Sequence, residues 1–257
     1  MVPRLLTIAT SDSGGGAGIQ ADLKAFAAAG CHGMSVLVAL TAQNTTSVTA
    51  VHTAPPDFVR AQLAAVFDDI GVDAAKTGML FSRPLIETVA DYLAEHPVPL
   101  VVDPVMVASS GARLLQEDAV LTLVDRLFPL ATVVTPNFAE ARVLAGEGPP
   151  AELARRVHEL GAPAVIVTGG HADEPGDWLF ADGEAVLVET ERHDVAATHG
   201  SGCTHSATLA ACLAKGMSLL DAARAAARAA SEAVRHGLAG LGAGEGPVDV
   251  LDVSGFA

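Results

Sequence analysis

His199-Gly200-Ser201-Gly202-Cys203 leads directly into an alanine-rich run that begins at Thr204. Small residues at a helix start let free backbone N–H groups converge, and the helix dipole adds partial positive charge. That combination suits an anion such as a phosphoryl group in transfer. A thiol at the same helix start is expected to have its pKa drawn below a reference of about 8.5. The bland alternative is an ordinary helix start with an inert, buried cysteine. The segment by itself leaves both open.

A second glycine cluster, Ser11-Asp12-Ser13-Gly14-Gly15-Gly16-Ala17-Gly18, follows the first apolar run. Its Gly16-x-Gly18-x-x-Ala21 register fits a dinucleotide fingerprint, but that motif needs an acid about 20 residues further on to hold the ribose. No Asp or Glu occurs between Asp22 and Asp57, so the fingerprint fails. No lysine follows a glycine, which excludes a Walker A loop. A tight turn needing several positive φ values is one reading. Two flanking carboxylates, Asp12 and Asp22, exceed what a turn requires and favour a small-molecule contact surface.

Carboxylates and amides mark other strand ends. Asp103-Pro-Val-Met and Thr135-Pro-Asn137-x-x-Glu140 both follow apolar runs. A carboxylate beside phosphates is a natural partner for Mg²⁺, which prefers oxygen ligands and keeps several waters. Asn137 and Glu140 lie at i and i+3, on one helix face. Helix capping explains that pair equally well. Gln43 ends a run expected to be a buried strand; its amide either satisfies backbone groups or makes paired hydrogen bonds to an amino-heterocycle. The histidines show no HExxH spacing. Cys203 and His205, two apart on a helix, face different ways, which disfavours a Cys/His dyad.

Elements must bring these groups together. Apolar runs at 5–10, 34–40, 47–53, 73–77, 100–103, 132–135 and 164–168 read as strands. Helical patterns fill 19–29, 84–94, 117–127, 137–144 and 151–160, another starts at Pro55-Pro56-Asp57, and the last two cover 203–213 and 219–236. Continuous Val/Ile/Leu runs indicate strands buried on both faces, hence a parallel sheet covered by helices. Residues 178–180 and 185–189, around Asp182-Gly183, predict an edge hairpin. The expected fold is a single α/β domain over 1–257, three layers with a mostly parallel central sheet. Ligands then sit beyond the carboxyl ends of the strands. The glycine-rich tail 237–246 and the stretch 172–177 are candidates for loop movement.

Composition narrows the partners. The 257 residues carry a formal charge of -15 and a mean hydropathy of +0.40, and half are apolar. Disorder is excluded, because a disordered chain is poor in apolar surface. Only three lysines occur, Lys24, Lys76 and Lys215, so nucleic acid is not an expected partner. Three cysteines are too few for a disulfide framework. No run approaches the 20 or so apolar residues of a membrane span, and residues 5–10 are too short a run for a signal peptide. A soluble, cytoplasmic protein is expected.

Taken in order, the motifs Ser11–Lys24, Ala42-Gln-Asn-Thr45, Lys76-Thr-Gly-Met79, Asp103-Pro-Val-Met106, Thr135-Pro-Asn-x-x-Glu140, Thr168-Gly-Gly-His171 and His199–Cys203 resemble one family. It is that of the hydroxymethylpyrimidine/phosphomethylpyrimidine kinases of thiamine biosynthesis, in the ribokinase superfamily. The resemblance implies a ribokinase-like fold and an ATP- and Mg²⁺-dependent kinase. Its substrate would be 4-amino-5-hydroxymethyl-2-methylpyrimidine, then the monophosphate. Cys203 would stand where sugar kinases of the superfamily carry an aspartate base, with Gly200, Ser201 and Gly202 as the anion hole. Gln43 would read the aminopyrimidine edge, with Asp22, Met79, Asp12 and Val105 around it. Lys76, Thr168, Gly169, His171 and Thr204 would serve the ATP phosphates, and Asp103, Asn137 and Glu140 would organise Mg²⁺. Thr10, Ser109 and His205 depart from the family pattern. The alternatives are a pyridoxal or pyridoxamine kinase of the same fold, and a non-catalytic sensor using Cys203 as an exposed thiol. A homodimer is expected.

Overall fold

Short β-branched runs bounded by Gly, Pro and Asp become strands, and the alanine-rich stretches between them become helices. The computed structural model describes residues 1–106, 117–169 and 176–256. The strands are β1 (Arg4–Asp12), β2 (His32–Gln43), β3 (Val48–Thr53), β4 (Ala74–Thr77), β5 (Leu100–Val102), β6 (Val133–Val134), β7 (Val165–Val167), β8 (Gly176–Ala181) and β9 (Glu184–Glu189). They form one sheet in the order β3-β2-β1-β4-β5-β6-β7-β8-β9. The stretch from β2 to β7 is parallel; β3, β8 and β9 are antiparallel. The predicted hairpin is present at one edge, and Asp182 and Gly183 turn it with φ of 53° and 83°.

Alternate side chains build two cores, one on each face. Leu6, Ile8, Val102, Val134 and Val167 pack under α2 (Pro56–Ala65), α3 (Arg83–Glu95), α4 (Glu117–Arg126), α5 (Phe138–Ala145) and α6 (Pro150–Glu159). Leu5, Val101, Val133 and Ile166 pack under α1 (Gly18–Ala28), α7 (Ser201–Ala214) and α8 (Leu219–Arg235). This is the expected three-layer, mostly parallel arrangement. Among the described residues no helix is long and apolar enough to cross a membrane.

Two local expectations are corrected. The strand ending at Gln43 is not buried throughout: past Ala39, Leu40 and Ala42 are exposed while Thr41 is buried, and pairing with β1 reaches only to Thr41, which leaves Gln43 beside β3, itself largely exposed. The glycine tail is docked rather than free: Gly242 and Gly244 lie against Thr45, and the Gly244 N–H donates to Thr45 Oγ1 at 3.2 Å. The other candidate for movement falls, at 172–175, outside the described residues.

Strand order reverses beside β1, since β1 is followed by β2 on one side and by β4 on the other. A crevice opens at such a reversal, outside the carboxyl ends of the strands.

Candidate active site

That crevice is a cavity of about 1010 Å³. One limb is bordered by Thr10, Asp12, Gln43, Met79 and Val105, the other by Thr168, Gly169, Thr190–Val195 and the inner face of α8. Cys203, with Gly200, Ser201 and Gly202, stands with Asp103, Asn137 and Glu140 on the same wall.

The floor is ionic. Lys76 and Asp22 are fully buried, and the Lys76 ammonium donates to both Asp22 oxygens at 2.9 and 3.1 Å. Thr7 Oγ1 donates to Asp22 Oδ2 at 2.6 Å, and Asp103 Oδ2 lies 3.7 Å from the ammonium. Burial works against the charge on Lys76, but Asp22, Cys203 and Asp103 together hold its pKa above the ordinary lysine value. Ser206 Oγ donates to Asp103 Oδ2 at 2.9 Å.

Above this floor α7 begins at an unusual corner. Gly200 precedes it with φ 87°, and among the described residues no side chain caps the helix. The Ser201 N–H is taken by the Thr198 carbonyl, and the Thr204 N–H by that of Gly200. Gly202 and Cys203 supply two of the N–H groups that a helix start leaves without an intrahelical acceptor. Among the described residues nothing lies within 4 Å of where a Gly202 side chain would point. These are the groups an anion would meet. The expectation of a lowered thiol pKa is overturned: burial pushes Cys203 up to about 12, against the pull of Lys76 and with Asp22 and Asp103 adding to the rise, although the Gly18 amide also favours the thiolate. The sulfur is half-buried beside charged groups, not sealed in apolar core.

The first glycine loop is organised by Asp12. Its carboxylate accepts from the amides of Gly14 (2.7 Å), Gly16 (3.1 Å) and Ala17 (2.9 Å), and lies 3.2 Å from His199 Nε2. Burial opposes ionisation, but His199 and the Gly14 and Ala17 amides bring the Asp12 pKa below the usual carboxylate range. The amides of Gly14, Gly16 and Ala17 are therefore spent internally. The loop contributes shape: a Cβ on Gly18 would strike the Thr10 carbonyl, and one on Gly16 the His199 ring.

Asn137 and Glu140 form the capping box. Asn137 Oδ1 accepts from the Glu140 N–H and Glu140 Oε2 from the Asn137 N–H, each at 2.9 Å. Glu140 Oε1 also accepts from the Met106 N–H at 3.2 Å. Burial, with Asp103 close by, raises the Glu140 pKa to about 8. Two carboxylates repelling each other at a buried strand end fit a divalent cation. Among the described residues no three His, Cys, Asp or Glu converge on one point, so such a cation would complete its shell with water and phosphate, as Mg²⁺ does.

Asp12, Gln43, Met79, Val105, Asp103, Asn137, Glu140, Thr168, Gly169 and the 200–203 corner thus share one cavity. Asp22 does not border it and reaches it only through Lys76, because its carboxylate is consumed by Lys76 and Thr7. Lys76 shows no exposed surface and is held down by Asp22, which leaves it a floor group rather than a reaching arm. Thr204 is buried in the helix, away from the cavity wall. His171 and Ser109 lie outside the described residues. Thr10 Oγ1 donates to the Met79 carbonyl at 3.1 Å, tying β1 to the end of β4. Sequence reasoning singled out His199 as the start of its motif but gave it no role, and it missed Ser206 and Asp177. Ser206, three residues after Cys203 on a helix, was findable by spacing; Asp177 carried no local signal.

A strand-order reversal, an unsatisfied helix start and paired carboxylates on one wall define a small-molecule kinase, and its fold is ribokinase-like. A phosphomethylpyrimidine kinase family profile matches residues 12–249, and the chain belongs to that family. It is 48% identical over 253 residues to the hydroxymethylpyrimidine/phosphomethylpyrimidine kinase of Rhizobium meliloti (strain 1021), covering 95% of each chain. An ADP complex of Bacillus subtilis pyridoxal kinase superposes with TM-score 0.90 at 38% identity, covering 99% of both chains. Phosphomethylpyrimidine kinase from Clostridium difficile 630 gives 0.77 at 38% identity, covering 88% of this chain and 96% of that one.

Proposed function

We propose that residues 1–257 act as one kinase domain that moves the γ-phosphoryl group of ATP to the hydroxymethyl oxygen of 4-amino-5-hydroxymethyl-2-methylpyrimidine, and then phosphorylates the monophosphate. The observation that carries this is the pair of amides at Gly202 and Cys203 between two cavity limbs. In-line transfer needs donor and acceptor on opposite sides of the moving group, and such catalysis is mostly positioning and charge stabilisation. The Gln43 limb, an amide with apolar neighbours, suits the aminopyrimidine; the Thr168–Gly169 limb suits the nucleotide.

Gln43 is well placed for selection. Its backbone is pinned to Ser13 by bonds of 2.7 and 2.8 Å, and its Oε1 accepts from Thr41 Oγ1 at 3.1 Å. Cys203, in its thiolate form, takes the hydroxyl proton late, once bonding to phosphorus has made the alcohol acidic. Asp103, Asn137 and Glu140 would hold Mg²⁺ and its waters; when bound, the ion supplies charge neutralisation to the phosphate oxygens. Lys76 keeps the buried carboxylates from meeting the phosphates as bare charge.

The specific alternative is a vitamin B6 alcohol, favoured by the likeness to the pyridoxal kinase at TM-score 0.90. A homodimer is proposed as the assembly, with the exposed residues Leu40 and Ala42 of β2 and the exposed strand β3 as the contact. The deciding experiment supplies ATP, Mg²⁺ and each alcohol side by side and follows products by mass. Mono- and diphosphate of the hydroxymethylpyrimidine are expected; product from pyridoxal alone reverses the assignment, and no product from either rejects it.

A further inference from the structure

His205 is the fifth residue of α7 and leaves the helix on a different side from Cys203. It is 3% exposed, and among the described residues neither ring nitrogen has a hydrogen-bond partner. A buried polar group in that state carries its desolvation cost unrelieved, which calls for an explanation. Nε2 lies 3.2 Å from Asp177 Oδ2, close enough to bond but out of line. Asp177 is also buried, and its Oδ1 accepts from the Gly169 N–H at 3.1 Å. Gly169 follows β7 with φ 75°, and among the described residues nothing lies within 4 Å of where its side chain would point. All three residues border the limb assigned to the nucleotide.

We infer that His205 is a positioning residue for the nucleotide: it balances and aims the Asp177 carboxylate, which fixes the Gly169 amide at the end of β7. The inference rests on the kinase reading above. An unbalanced carboxylate in a low-dielectric wall repels a polyphosphate far more than it would in water. An imidazole N–H turned onto Oδ2 stabilises that charge by hydrogen bonding. The same contact keeps Oδ1 on Gly169, so the strand end presents one shape to the incoming nucleotide. His205 acts on nucleotide affinity and leaves both the alcohol pocket and the transfer step alone.

Four variants test it: His205→Leu, His205→Gln, Asp177→Asn, and His205→Leu with Asp177→Asn. KM for ATP, KM for the pyrimidine and kcat are measured for each, with ADP affinity by calorimetry. His205→Leu is expected to weaken ATP and ADP on the order of ten-fold, within the range for coupled neighbours. Pyrimidine KM and kcat should stay within about two-fold. His205→Gln, which keeps a donor, should sit close to wild type and also covers the case in which the leucine variant misfolds. Adding Asp177→Asn to His205→Leu should restore most of the nucleotide affinity, because the stranded charge is gone. Unchanged ATP KM, a parallel shift of all constants, or no restoration in the double variant would overturn the inference. Wild type that binds ADP without turning over either alcohol sinks the kinase reading instead, while the calorimetric arm still reports on His205.

Discussion

Cys203 concentrates the residue-scale chemistry. Position alone argues for an activated thiol, since helix starts favour thiolates. Desolvation, reinforced by Asp22 and Asp103, outweighs that benefit and outweighs Lys76, and the pKa stands at about 12. At pH 8 the thiolate is then roughly three orders of magnitude scarcer than for a thiol titrating near 9. Two outcomes are expected. Iodoacetamide should label Cys203 slowly at pH 8 and progressively faster up to pH 11, as followed by peptide mass. If the sulfur takes the alcohol proton, log kcat should rise with pH between about 7 and 10, and Cys203→Ala should lose kcat at least 10²-fold. Rapid labelling at pH 7, or a variant within a few-fold of wild type, contradicts this account. The Lys76–Asp22 pair teaches a related lesson. The family resemblance implied a phosphate arm and a pocket wall, whereas burial without exposed surface makes them a mutually satisfied pair under the site. Breaking such a pair strands a charge, which is why neither is separable from stability.

At the scale of elements, two glycine corners touch. A Cβ on Gly200 would run into the Gly16 carbonyl, and Gly200 has φ 87°. The corner before α7 therefore fits against the loop before α1 only because both are bare. His199 locks the same junction from the other side through Asp12. Gly15 offers a matched control, with φ 75° but open space around it. Both Gly200→Ala and Gly15→Ala should carry about 1–3 kcal/mol of backbone strain, read from denaturant midpoints. Only Gly200→Ala should also displace the amides of Gly202 and Cys203, lowering kcat by about 10²-fold as loss of an anion-stabilising donor does. Equal kcat in the two variants would separate the corner from catalysis.

For the molecule as a whole, Glu140 links protonation to folding. Its pKa is raised from 4.5 to about 8 by burial and Asp103. A carboxyl that holds its proton longer when folded stabilises fully below pH 4.5, and that contribution fades as pH rises to about 8. With a chelator present, the stability of wild type relative to Glu140→Gln should fall across that window, by at most about 4 kcal/mol. Unfolding curves at pH 5 and 8 measure it; a constant difference refutes the shift. Apolar run lengths, glycine corners and strand-end polar residues were enough to specify the alternation of strands and helices, the parallel sheet, the edge hairpin and most of the cavity wall. Those properties are local or periodic, and each is written within a few neighbouring residues. Only the tertiary structure decided that Asp22 lies beneath the pocket, that the thiol is hard to ionise, and that Asp177 meets His205 across 28 positions of chain. Burial and electrostatic pairing depend on which distant elements pack together, and no stretch of neighbouring residues encodes that.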